Sequence, residues 1–552
     1  MRPILVRTHA VALTGISAHV IAVETHVGPG LVSFNLVGMP DASVRESRDR
    51  VRAALQSCGI DWFEHRVTIN LSPAGIPKMG SAFDLAIAVG LLTARSVLSA
   101  GAVDGTVFMA ELGLDGALRP IRGILPAVIG VRRAGHKRVI VAEESLAEAQ
   151  LLPGVEVLGF SHLRDLVMHF GGRLLEGLPK LPPVNRILEG EPGNGNDLEG
   201  LTDVKGDSSG TAAVSGESFF STENKDARYR PVPDLADVRG QAFATEGLLV
   251  AAAGGHHMLM VGEPGSGKTM LAQRLPTILP SLNDEEAIEV TAIHSICGTF
   301  DPANGLMRTP PIESPHHSAT MAAIIGGGVG IPRPGAISRA HAGVLVLDEA
   351  AEFAPVVLDA LRQPLESGIV NIHRSRQHVQ YPARFQLVLA TNPCPCGHAL
   401  SRRKACTCSS IQQRRYMNRL SGPLLDRVDL HVPMMTPSPA ELAEPPRYTS
   451  AEALEIVTEA RSRATKRWSE MPWSLNAQAP SRALRSDDAN FEQSVHSGIE
   501  DAVAEGALSL RGADRVMRLA LTIADLRGKE RAGLPELTKA LQFRNGVRYG
   551  AP

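Results

Sequence analysis

Aromatic side chains are scarce in this sequence, 4% of 552 residues, and the formal net charge is only −2. No global field of either sign announces a polyanionic or membrane partner, so any nucleic-acid contact has to come from local basic patches. No apolar run approaches the roughly 20 residues that a membrane span requires. The N-terminus has no charged segment followed by a long apolar one, and the expectation is a cytoplasmic protein without a membrane partner. Cysteine is rare too: six residues are too few to staple a chain of this length. Four of the six crowd between Cys394 and Cys408, a distribution that points to metal rather than to disulfides. The length itself predicts roughly three to four domains, each able to bury a core.

Against this background one stretch stands out. The apolar run His257-Met258-Leu259-Met260-Val261 breaks into Gly262-Glu263-Pro264-Gly265-Ser266-Gly267-Lys268-Thr269, and Met270 to Leu275 then has helical spacing. That pattern predicts strand, phosphate loop and helix. The glycines let backbone N–H groups turn onto phosphates, the helix N-terminus adds positive potential, Lys268 reaches the β- and γ-phosphates, and Thr269 is placed to ligate Mg²⁺. ATP is the expected nucleotide.

A phosphate loop fixes a ligand but not an activity. About 80 residues further on, Gly343-Val344-Leu345-Val346-Leu347 reads as a buried parallel strand ending in Asp348-Glu349. Asp348 is suited to hold Mg²⁺ through its water shell, and Glu349 to polarise an attacking water. A third strand, Phe385 to Ala390, ends in Thr391-Asn392-Pro393. The Asn392 amide carries donor and acceptor on one group, so it can address both the γ-phosphate and the lytic water.

The N-terminal part mixes short β-branched runs with apolar helices. Val20 to Thr25, Leu31 to Val37, Arg66 to Leu71 and Arg138 to Ala142 read as strands, and Ser43 to Cys58 and Phe83 to Ala94 as helices. It is an α/β domain without a phosphate loop. Its segments Pro77-Lys78-Met79-Gly80-Ser81-Ala82 and Leu118-Arg119-Pro120-Ile121-Arg122-Gly123-Ile124-Leu125 resemble the Lon-type protease domain. Active members of that class use a serine and a lysine from these segments, and here Ala82 and Leu125 stand at those positions. The expectation is a Lon-like fold without its dyad.

Composition places the boundaries. Residues 1–178 form the Lon-like domain. Residues 179–230, rich in Gly, Asn, Ser, Asp and Glu around the single apolar pair Phe219-Phe220, cannot offset their ordering entropy and read as a flexible linker. Residues 231–436 carry the nucleotide motifs. Residues 437–552 read as all-helical, over Ser450 to Arg467, Gly498 to Glu505, Ala513 to Leu526 and Leu534 to Phe543.

Two further features bear on partners. Cys394, Cys396, Cys406 and Cys408 form two Cys-x-Cys pairs nine residues apart, which either close a tetrahedral Zn²⁺ site, with His398 as a substitute ligand, or remain reduced thiols in a loop. Arg402, Arg403 and Lys404, then Arg414, Arg415, Tyr416 and Arg419, make a local basic patch suited to a phosphate backbone. Ile369 to Val379 alternates about a polar tip and predicts a hairpin bearing His373, Arg374, Arg376 and His378.

The nucleotide motifs together resemble the AAA+ ring ATPases, in which the Asn392 position is called sensor one. The segment Ser421 to Asp429 is similar to the arginine-finger segment of the magnesium-chelatase and minichromosome-maintenance branch, which makes Arg427 the candidate finger. In that branch the segment Leu508 to Arg518 resembles sensor two, so Arg511 or Arg515 is the expected nucleotide contact, and the hairpin faces a central pore. Ser314-Pro315-His316-His317-Ser318, Arg362-Gln363-Pro364-Leu365-Glu366, the run Asn392 to Gly397 and Thr522 to Leu526 extend the likeness over nearly the whole chain, to the ComM/YifB family of magnesium-chelatase-like ATPases. That resemblance implies an α/β multidomain protein with a Lon-protease-like N-terminal domain, an AAA+ module and a helical lid. It further implies a homo-hexameric, ATP-driven motor on single-stranded or branched DNA, active as a branch-migration helicase in recombination or natural transformation. The alternatives are a metal-insertion ATPase of the chelatase type and an ATP-dependent Lon-like protease.

Overall fold

A computed structural model of the protein describes residues 4–173, 233–328, 332–374, 377–401, 403–486 and 489–546. The stretch read as a linker, with Phe219-Phe220, lies outside the described residues, as do Arg376 and Arg402.

The N-terminal part is built on a seven-stranded mixed sheet. Its strands are β1 (Ile4–Thr14), β2 (Ser17–Gly28), β3 (Ser33–Val37), β4 (Arg66–Ser72), β5 (Thr106–Met109), β6 (Arg138–Ala142) and β7 (Glu156–Phe160), in the order β3-β4-β2-β1-β5-β6-β7. β1 and β2 pair antiparallel over their whole length, whereas β5, β6 and β7 run parallel. The first strand escaped the sequence reading because Arg7 and His9 interrupt its apolar side chains. The strand expected from Leu31 begins only at Ser33, since Leu31 and Val32 are exposed and only Ser33 to Val37 pair with β4. Helix Asp84–Ala94 is buried at every residue, which explains why it shows no amphipathic stripe. Leu125 is fully buried and its N–H is held by Glu148, while the Ser81 hydroxyl donates to Glu111.

The nucleotide part holds a five-stranded sheet: β8 (Met258–Gly262), β9 (Ile312–Glu313), β10 (Val344–Leu347), β13 (Gln386–Thr391) and β14 (Leu430–Met434), in the order β9-β10-β13-β8-β14. Between β10 and β13 the chain makes a separate hairpin, β11 (Ile369–Arg374) with β12 (Gln377–Pro382). Every pairing in the five-stranded sheet is parallel, so the loops after β8, β10 and β13 emerge at one edge. β8, β10 and β13 are buried along their length, as their apolar sequences require.

From Ser438 onward the elements of the described residues are helices, including Ser450–Arg467, Gln493–Ala504, Leu510–Leu526 and Leu534–Asn545. Ala453, Val457, Val516 and Leu519 share one apolar core with Leu248, Met258 and Leu430 of the nucleotide part. A polar network crosses this core. Arg467 and Asp525, both buried, pair at 2.5 Å, and Asn476 donates to Asp525 at 2.8 Å while accepting from Trp468 Nε1 at 3.0 Å. Asp525→Ala would leave Arg467 buried without its counter-charge, a loss of about 3–5 kcal/mol. Urea unfolding followed through tryptophan fluorescence is expected to show the matching fall in midpoint, and an unshifted curve would contradict it.

Candidate functional site

The site forms where the parallel strands end. Beyond β8 the chain turns through Gly265 and Gly267, with φ of 76° and 90°, and enters helix Lys268–Arg274. Gly262 has no room for a side chain, because a Cβ there would lie 2.1 Å from the Met434 carbonyl. Lys268 Nζ donates to the carbonyls of Gly262 at 2.9 Å and Glu263 at 2.8 Å, and to Asn392 Oδ1 at 3.2 Å. Burial lowers its pKa, and the carboxylates of Asp348, Glu349 and Glu263 work against that shift. Thr269 Oγ1 donates to Asp348 Oδ2 at 2.5 Å, and the Glu263 carboxylate accepts from Thr436 at 3.1 Å. Lys268, Thr269, Asp348, Glu349 and Asn392, read from three separate stretches of sequence, thus converge on one strand edge.

The arginines do not join them. Asp429 donates its N–H to the His257 carbonyl just before β8 and β14 begin, which puts it at the opposite edge of the sheet from the phosphate loop. Five residues of strand separate the two edges by roughly 15 Å. Arg515 pairs with Asp429 there, and His256 bonds the same carboxylate at 2.8 Å. Burial works to raise the Asp429 carboxyl, yet His256 and Arg515 hold it far below the usual range. Arg427 bonds Glu366 and the Pro423 carbonyl. Arg427, Arg515, Arg518, Glu366 and Asp429 line a common cavity of about 620 Å³. Arg511 is exposed. Of the two arginines left open by the sequence, Arg515 is therefore the one that pairs with a carboxylate, and it stands away from its own chain's phosphate loop.

The four cysteine sulfurs lie within 4.8 Å of one another, and three pairs are 3.4–3.6 Å apart. A Zn²⁺ tetrahedron with Zn–S bonds of about 2.3 Å has S···S edges of roughly 3.8 Å, so the donor set fits the ion. N–H donors of His398 and Thr407 pull the Cys396 thiol down to about 5, while burial pushes Cys394 up to about 12. The excursion leans on the phosphate loop: a Cβ on Gly397 would come 2.6 Å from Pro264. On the hairpin, the exposed rings of His373 and His378 stack at 4.3 Å. Arg403, Lys404 and Arg419 are exposed, and Arg419 also pairs at the surface with Glu352 at 2.9 Å.

Comparison with known proteins shows likeness over nearly the whole chain. Three family models match along the chain: magnesium chelatase, subunit ChlI, over residues 234–442; subunit ChlI of Mg-chelatase, over 23–145; and the magnesium chelatase subunit ChlI C-terminal model, over 447–544. An uncharacterized protein of Mycobacterium tuberculosis is 41% identical over 540 residues, 98% of each chain. Competence protein ComM of Haemophilus influenzae is 38% identical over 542 residues, 97% of each chain. The uncharacterized protein YifB of Escherichia coli is 37% identical over 539 residues, 97% of this chain and 96% of its own. The chain belongs to the ComM/YifB family of magnesium-chelatase-like proteins. Part of this ComM/YifB-type chain is also 28% identical over 149 residues to Lon protease 2 of Bacillus subtilis, 27% of this chain and 26% of that protein.

The magnesium-chelatase-like AAA+ family implies ATP and Mg²⁺, and the site accommodates both. Ser266 Oγ is buried within the loop without a hydrogen-bond partner, and Lys268 is held by carbonyls that a phosphate can replace. Thr269 Oγ1 and Asp348 are the groups that would hold Mg²⁺, which when bound neutralises phosphate charge. Sequence reasoning missed two members of this ComM/YifB-type site. Gln241 Nε2 bridges the carbonyls of Ser266 and Met435 at 3.0 and 2.8 Å, fixing the loop against the end of β14. His317 Nδ1 lies 2.9 Å from a Glu349 carboxylate oxygen. His317 lay within a segment that the sequence reading used only for its family likeness.

Proposed function

We propose that this chain is a cytoplasmic, ring-forming ATPase that drives movement on single-stranded or branched DNA, as a homo-hexamer in recombination or natural transformation. The observation that carries the reading is the separation of Arg427 from the phosphate loop. An arginine at the far edge of the sheet, lining an open cavity with Arg515, suits the nucleotide of a neighbouring protomer, and a site that borrows its arginine requires a closed assembly. Within that site Lys268 binds the phosphates, Asn392 orients the attacking water, Glu349 takes its proton, and Arg427 of the adjacent copy neutralises developing charge.

The polynucleotide part is supported by the hairpin, with His373, His378 and the strand residue Arg374, and by Arg403 and Lys404 beside the cysteine cluster. The full-length likeness to a protein named for competence points the same way. A protease reading has no nucleophile and base, because Ala82 and Leu125 occupy those positions.

ATPase assays with and without single-stranded DNA, and strand displacement on forked and three-stranded DNA, test this function. DNA-stimulated turnover that weakens with salt, together with displacement, is expected; stimulation by a porphyrin instead would favour metal insertion.

The four thiols are read as a zinc site that stiffens the excursion over Pro264. Metal analysis of protein purified without chelator is expected to give about one zinc per chain, four thiolates filling one tetrahedron. Less than one zinc per two chains would contradict the assignment.

A further inference from the structure

The four cysteines are built into the nucleotide site itself. Cys394 follows Asn392 by two residues and is fully buried, and its carbonyl accepts the Gly397 N–H at 2.9 Å in the turn that sets Gly397 against Pro264 of the phosphate loop. Asn392 in turn accepts from Lys268 at 3.2 Å. On the far side of the cluster, helix Ser410–Met417 begins two residues beyond Cys408, and its Gln413 donates to Cys406 Sγ and to the Cys408 carbonyl, both at 3.3 Å. Arg419, just past that helix, donates to the carbonyl of Ala351, two residues after Glu349, at 3.0 Å. One excursion therefore touches all three stretches that form the site. Between Gly397 and Ala405 its described residues form no helix or strand, so the thiols are what hold its two ends together.

The same thiols are placed to react with one another. Cys396 Sγ lies 3.4 Å from Cys394 Sγ and 3.5 Å from Cys406 Sγ. Cys396, Cys406 and Cys408 are partly exposed, so a small oxidant can reach them, whereas Cys58 is buried in the N-terminal core. Joining Cys396 to Cys406 shortens their separation from 3.5 Å to about 2 Å. Gly397 adjoins Cys396 and has no slack against Pro264, so a contraction of this size shifts the turn that carries both the phosphate-loop contact and Asn392.

We propose that the cluster is a modification site for hydroperoxides, and that its oxidation to a disulfide turns ATP cleavage down. One thiolate attacks a peroxide oxygen, the O–O bond breaks, and a sulfenic acid forms while the departing hydroxide takes up a proton. A second thiolate attacks the sulfenic sulfur, the S–S bond forms, and a second hydroxide leaves and is protonated. The two sulfurs lose two electrons, hydrogen peroxide gains them, and two waters result. A tetrahedron reduced to two thiolates no longer retains its ion. The proposal rests on the reading of the thiols as a zinc site and of Lys268 and Asn392 as groups that meet ATP.

The test adds hydrogen peroxide to the full chain purified without chelator, and follows ATP turnover, zinc released to a colorimetric chelator, and free thiols titrated after denaturation. Release of zinc, loss of a pair of thiols and a fall in turnover of about tenfold or more are expected on one time course, since small misplacements of positioning groups cost that much. Dithiothreitol with added Zn²⁺ is expected to restore turnover. The double variant Cys58→Ala, Cys297→Ala is expected to respond as wild type does. Cys396→Ser with Cys406→Ser is expected to turn over slowly from the start and to respond no further; should it fail to fold, the other comparisons still decide. Zinc and thiols lost with turnover intact, a cluster that resists peroxide, or activity that reductant and zinc do not recover would overturn the proposal. Protein that holds no zinc as purified would defeat the metal assignment alone, and thiol loss set against turnover would still decide the modification. Absence of turnover before peroxide is added would defeat the ATPase reading instead, and the affinity of a fluorescent ATP analogue before and after oxidation would then report on the loop.

Discussion

Arg427→Ala is expected to lower ATP turnover by about 10³–10⁵-fold, the effect of removing an arginine that meets charge developing on the transferred phosphoryl group. Nucleotide affinity is expected to survive, because Lys268, Thr269 and the loop amides belong to the other edge of the sheet. The present partners of Arg427 explain why the loss is not one of folding. It bonds exposed Glu366 and a carbonyl, and its Nε has no partner, so its donors are only partly used within its own protomer. Arg427→Lys is expected to restore little, since an ammonium cannot reproduce the fork of a guanidinium. Steady-state turnover and binding of a fluorescent ATP analogue, measured on the same preparations, separate the two effects. Unimpaired turnover would reject a shared site.

Glu349→Gln is expected to reduce turnover by about 10²–10⁴-fold with tight ATP binding retained, because an amide keeps the shape of the carboxylate but cannot take a proton. Its carboxylate stands at a strand end beside Asp348, which accepts the Glu349 N–H at 2.9 Å and the Thr269 hydroxyl at 2.5 Å. Changing Glu349 therefore leaves the groups assigned to Mg²⁺ in place. A single-turnover experiment with radiolabelled ATP is expected to show bound, uncleaved nucleotide. Loss of binding together with loss of cleavage would mean that Glu349 shapes the pocket rather than serving as base.

Much of this architecture was legible because local signals agreed with one another. Ser450–Arg467 begins at a capping box between Thr449 and Glu452 and ends in Lys466 and Arg467, so both termini were marked in the sequence. The strands carrying the nucleotide site are buried on both faces and announced themselves as apolar runs. Helix Gln493–Ala504 was read from Gly498 onward because its first turn is largely polar, and Val495 gives the only early apolar cue. In the site itself, each motif pointed to a chemistry on its own. What the sequence could not convey was the distance between motifs. The opposite placement of Arg427 and Lys268 follows from parallel strand order, the contact of Gly397 with Pro264 from tertiary packing, and the approach of His317 to Glu349 from β9 lying next to β10. Arg419 is a further case: its surface pairing with Glu352, 67 residues away in the chain, follows from the fold.

The account depends on ATP being cleaved at a seam between two copies of the chain. Mixing Lys268→Ala with Arg427→Ala tests this most directly, because each variant alone lacks a different half of the site. In a mixed ring the intact loop of one meets the intact arginine of the other at about a quarter of the seams, so turnover is expected to recover to about a quarter of wild type. A mixture as inactive as its components, or wild-type protein that stays monomeric with Mg-ATP and DNA while turning over at full speed, would contradict the account.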